Sequence, residues 1–182
     1  MRKIMIFTVL ITLILGVIGL YKYNASPTSV KVMGSSSILD FLTTKGINIA
    51  GEVRNLKIED KQIIKTNGNT TIKATRTKNF PPNIEEVILQ TLNTHYIQSI
   101  EVKLKATKEG EIQKILGDIK KHDPSSQEIL SQNGLWLFLG KEPNHKELIY
   151  YALLFQKDGT CSLAIFTERA NQYFKQKEGL KR

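Results

Sequence analysis

The stretch that decides the fold is Leu148–Thr167, LIYYALLFQKDGTCSLAIFT. Two apolar runs, Leu148–Gln156 and Thr160–Thr167, flank Asp158-Gly159, a dipeptide suited to the left-handed backbone of a two-residue hairpin turn. Leu135–Leu139 (LWLFL) just upstream is a third apolar run and reads as a buried strand. Three strands close together in sequence, joined by tight turns, predict an antiparallel sheet.

Working backwards, Ser99–Thr107 alternates: Ile100, Val102, Leu104 and Ala106 on one side, Glu101, Lys103 and Lys105 on the other. That is the period of a half-buried strand. Asn67-Gly68 between Gln62–Lys65 and Thr70–Thr75 marks another hairpin, and Glu52–Ile58 reads as a strand before it. Helical spacing occurs in four places. Ser37 caps a helix over Ile38–Lys45 that Gly46 ends, and Asn83 caps one running to Tyr96 through Ile84, Val87, Ile88 and Leu92. Lys108–Lys121 follows the same period through Ile112, Ile115, Leu116 and Ile119, and Glu168–Lys177 closes the chain. Ser126–Ser131 reads as a short helical turn before Asn133-Gly134. The expectation is an α+β fold, an antiparallel sheet with helices packed on one face, with no internal repeat. A subdomain break is possible near residues 80–82, at Pro81-Pro82.

Ile4–Leu20 (IMIFTVLITLILGVIGL) carries no charge. At 1.5 Å per residue it spans roughly 25 Å, close to the hydrocarbon thickness of a bilayer. Tyr21 and Tyr23 suit the interface, while Arg2 and Lys3 hold the N-terminus in the cytoplasm. Residues 1–25 therefore read as a single N-terminal transmembrane signal-anchor, residues 26–37 as a short tether, and residues 38–182 as an extracytoplasmic domain. A cleaved signal peptide is the rival, but the run is long for one, and Tyr23 occupies the −3 position of the best cleavage site, after Ala25.

The 182 residues carry 26 basic and 17 acidic side chains, a net charge of +9, of which Arg2, Lys3 and Lys22 belong to the anchor. The remaining excess is dispersed. It favours contact with anionic lipid, an acidic cell-wall polymer or an acidic protein over nucleic acid. Lys57, Lys61, Lys65, Lys73, Arg76 and Lys78 crowd the first meander and form the candidate basic surface. Such a run also serves to solvate a strand face and block edge-to-edge pairing.

Chemistry-bearing motifs are sparse. The single Cys161 excludes an intramolecular disulfide and a multi-cysteine metal site. His95, His122 and His145 have no partner at ligand spacing, and the glycines form no phosphate loop. No nucleophile elbow is present, and Glu59-Asp60 and Glu85-Glu86 fit a turn and a helix start rather than a catalytic pair. No catalytic residue, cofactor or metal is assigned. The expected function is a non-enzymatic, membrane-anchored protein-binding module, an accessory subunit of an envelope assembly for secretion, pilus formation or regulation. The alternative is a periplasmic sensor domain that holds a small apolar ligand beneath Trp136, Phe138, Tyr150 and Phe155 or acts as partner of a membrane regulator, with a cell-wall or peptide hydrolase as a third reading.

Overall fold

The computed structural model describes residues 37–66, 68–75, 80–105, 109–141, 147–156 and 159–179. The expected anchor, the tether before Ser37, and Arg76, Lys78 and His145 lie outside them. Among the described residues, no helix is long and apolar enough to cross a membrane.

Among the described residues, eight strands form one fully antiparallel sheet in the order β1-β2-β3-β4-β8-β7-β6-β5. They are β1 (Gln62–Thr66), β2 (Asn69–Thr75), β3 (Ile84–Thr91), β4 (Ser99–Leu104), β5 (Gln127–Gln132), β6 (Leu135–Lys141), β7 (Leu148–Phe155) and β8 (Cys161–Thr167). Among the described residues three helices accompany them: α1 (Ile38–Thr44), α2 (Glu109–His122) and α3 (Glu168–Gly179). The chain thus contains two successive units of one helix followed by a four-stranded meander. The meanders meet where β4 pairs with β8. The architecture repeats although no sequence repeat is legible.

Strand alternation sends side chains to two faces. On the first, Ile72, Leu89, Ile100, Ile165, Tyr151 and Phe138 form one row through directly opposed residues, and α1 and α2 cover them. Ile38, Leu39, Phe41 and Leu42 of α1, with Ile112, Ile115, Leu116 and Ile119 of α2, supply the helical side of this core. The Ser37 hydroxyl accepts the Asp40 N–H at 3.5 Å, the expected cap, and Gly46 follows α1 at φ +70°.

Not every helix lies on that face. α3 packs Ala170, Tyr173 and Phe174 against Leu137, Ala152, Ala164 and Phe166, which point the opposite way. The small side chains Ala152 and Ala164 let a helix approach the second face, and Thr167 turns the chain onto it. Thr167 Oγ1 accepts the Ala170 N–H at 3.1 Å and donates to Gln98 at 2.8 Å. The expectation of helices on one face is corrected accordingly.

Three local readings also change. The stretch from Asn83 contains strand β3, not a helix. A β-bulge between Ile84 and Glu86 shifts the alternation by one residue, so the buried positions Ile84 and Val87 fall at helical spacing. Gln127–Gln132 is strand β5 instead of a helical turn, joined to β6 by Asn133 and Gly134, both at positive φ. Glu52–Ile58 forms a 3-10 turn at Val53–Asn55, with one isolated bridge from Glu52 to Tyr96. The strands on either side of Pro81-Pro82, β2 and β3, are paired neighbours.

Candidate functional site

Two places combine exposure with specific chemistry: the β1 edge of the sheet and a cleft on its first face.

β1 is exposed at all five residues, QIIKT. Its ladder with β2 is regular from Gln62–Lys73 to Thr66–Asn69. Ile63 lies opposite the buried Ile72 and so prolongs the core row to the rim, where it is 48% exposed. Ile64 faces the other way and is 40% exposed. Each face of this edge therefore ends in a half-open isoleucine, and the outer backbone groups of β1 are free of any ladder among the described residues. Such an edge is a template for another strand.

The lysines near this edge do not form one patch. Lys65 shares the Ile63 face, whereas Lys73 lies opposite Gln62 on the second face, near Glu101. Lys57 and Lys61 are exposed in the segment leading into β1, and the Lys61 ammonium donates to the Ile58 carbonyl at 3.0 Å. The basic character therefore borders the edge on both faces.

The four aromatic residues expected to roof a pocket are likewise divided. Trp136, Phe138 and Phe155 belong to the first-face core, with Phe138 fully buried and the Lys120 ammonium 5.9 Å from its ring centroid. Tyr150 is on the second face, stacked on Phe166 at 5.3 Å and donating its hydroxyl to Glu168. Burial and that bond to a carboxylate push the Tyr150 phenol up to about 12.

The cleft, of about 1020 Å³, is lined by none of these four. Its apolar walls are Leu39 and Leu42 of α1, Ile47 and Ile49 of the following loop, and Ile100, Ile149 and Ile165 of the sheet. Its polar end is where α2 stops, at His122, Asp123 and Ser125, with Lys141 and Tyr151 from β6 and β7. Asp123 Oδ1 accepts the Ser125 N–H at 3.1 Å and the Ser125 hydroxyl at 2.5 Å, a local turn that Pro124 favours. Asp123 Oδ2 lies over Gly140, where an added Cβ would come within 1.9 Å of it. The Tyr151 hydroxyl reaches the same oxygen at 3.4 Å. Burial first, and then the neighbouring Asp123, raise the Tyr151 phenol well above its usual range, so it remains a donor.

His122, Asp123 and Ser125 together invite comparison with a hydrolytic triad. In a triad the histidine stands between serine and carboxylate. Here the serine bonds the carboxylate directly, and that bond closes a turn. The cleft is not legible in the sequence because its members come from α1, a loop, the α2 stop and four strands. The His122-Asp123-Pro124-Ser125 stop is the one local signal of its polar end.

The chain matches no protein-family model, no curated protein and no solved structure.

Proposed function

We propose that this chain is a non-enzymatic, membrane-anchored binding module whose extracytoplasmic domain captures an extended segment of a partner protein on β1. It would serve as an accessory subunit of an envelope assembly. The observation that carries this reading is β1 itself: a regular edge strand, exposed throughout, with Ile63 and Ile64 half-open on its two faces. An added strand would gain main-chain hydrogen bonds and cover both isoleucines. Lys57, Lys61 and Lys65 oppose pairing with a second copy and favour a partner strand that alternates apolar with acidic residues. The uncharged Ile4–Leu20 run supports the anchored placement.

The test is affinity capture of the full chain from crosslinked native membranes, comparing the wild type with Ile63→Lys/Ile64→Lys. A stoichiometric partner lost in the double variant supports the reading. A partner retained in full, or a wild-type chain that is always alone, contradicts it.

A second reading, a sensor domain for a small apolar ligand, is favoured by the cleft. Its volume is at the upper end of the roughly 300–1,000 Å³ common for small-molecule sites, and aliphatic side chains form its walls.

A further inference from the structure

We infer that the cleft between α1 and the sheet binds a single-chain aliphatic amphiphile whose head group is a hydrogen-bond donor, seated on Asp123 Oδ2. The inference rests on the sensor reading and is independent of strand docking at β1.

The walls specify the tail. Leu39, Leu42, Ile47, Ile49, Ile149 and Ile165, from α1, the loop after it and the sheet, present branched aliphatic surface to the cleft. An alkyl chain meets that surface without leaving any polar group unpaired.

The polar group around Asp123 specifies the head. Asp123 is only 9% exposed, and its two oxygens are unequally used. Oδ1 takes two donors from Ser125 at 3.1 and 2.5 Å. Oδ2 takes the Tyr151 hydroxyl at 3.4 Å, well beyond the roughly 2.7–2.8 Å usual between oxygens. A carboxylate oxygen accepts two strong hydrogen bonds with ease, so Oδ2 keeps acceptor capacity. Gly140 beneath it leaves no Cβ to displace it from this position. A hydroxyl or ammonium head adds a second donor beside the long Tyr151 bond. A carboxylate head would instead set a second negative charge against Asp123, with Lys141, exposed at the rim, as partial compensation.

The test uses the full chain in lipid nanodiscs with 13C-labelled isoleucine methyls, titrated separately with 1-dodecanol, dodecylamine and laurate. The inference predicts saturable shifts at Ile47, Ile49, Ile149 and Ile165 with the alcohol and the amine. Ile72 and Ile84, in the core beneath the first meander, should stay fixed, and laurate should bind at least tenfold more weakly. Asp123→Asn keeps an acceptor for the Ser125 turn and should weaken dodecylamine about tenfold. Thr43→Trp, at an exposed rim position, should block all three probes. Laurate binding as tightly as the amine, or an Asp123→Asn chain that binds dodecylamine unchanged, overturns the head-group assignment while leaving a ligand cleft. Absence of any shift at the cleft methyls overturns the sensor reading with it.

Discussion

β1 and β5 hold equivalent places: each opens a four-stranded meander, and each lies at an end of the sheet. They differ in regularity and in anchorage. The β5–β6 ladder is broken by a bulge between Glu128 and Leu130, which turns Ile129 out to 50% exposure, and Leu130 packs against the α3-side cluster. The β1–β2 ladder is unbroken, and all five β1 residues are exposed. A bulge twists an edge away from incoming strands, whereas a flat exposed edge invites them. The same unit has thus been finished in two ways. One end carries a bulge and a contact with the α3-side cluster; the other is regular and exposed.

The largest effect should come from the seam that makes the two halves one body. Leu163 is fully buried opposite Val102 and Leu153. Leu163→Ala should cost about 2–5 kcal/mol in denaturant unfolding. Trp136 fluorescence and the loss of sheet circular dichroism should move together, and two separate transitions would break the picture of a joined sheet.

Gly140→Ala comes next, confined to the second half. The new Cβ must displace Asp123 or the backbone, which should destabilise the domain by about 1–3 kcal/mol in the same assay.

The edges themselves should respond unequally. Ile64→Lys on β1 should stay within about 0.5 kcal/mol of the wild type. Leu130→Lys on β5 should cost about 1 kcal/mol or more, because that side chain is partly buried against α3. Equal costs would remove the distinction in anchorage.

The smallest expected effects are opposite pH slopes on the second face. Burial raises the Glu101 carboxyl, with Glu86 adding to the rise and Lys103 and Lys73 opposing it. The folded state then binds a proton more tightly than the unfolded chain. Stability from this group is full below the ordinary carboxyl range and falls as pH rises from there through the folded value. Glu101→Gln should flatten that fall. At Glu168 burial pushes up, but hydrogen bonds from Tyr150, Asn171 and Gln172 and the charge of Lys175 outweigh it and leave the carboxyl lowered. Its contribution is present above the ordinary range and fades as pH drops through the folded value, and Glu168→Gln should remove that fading. Melting temperatures between pH 3 and 8 read both.

The second meander was legible because β6, β7 and β8 are continuous apolar runs with a marked hairpin turn. α1 and α2 were legible because burial on one stripe survives in the spacing of Ile112, Ile115, Leu116 and Ile119. β3 was hidden by its own bulge, since one extra residue turns a two-residue period into an apparent helical one. β5 was hidden by exposure, having almost no buried side chain to impose a period. The candidate sites were harder still. Ile63 and Ile64 are ordinary strand residues until the sheet order places them at a rim, and the Asp123 cleft exists only after five separate stretches of sequence converge.

Amide hydrogen exchange of the full chain, alone and with its crosslink-free captured partner, tests the central claim most directly. Before binding, amides in both β1 and β5 should exchange faster than those of the central strands β4 and β8. The partner should slow exchange in β1 at least tenfold and leave β5 unchanged. Protection confined to β5, or no new protection in β1, would contradict it.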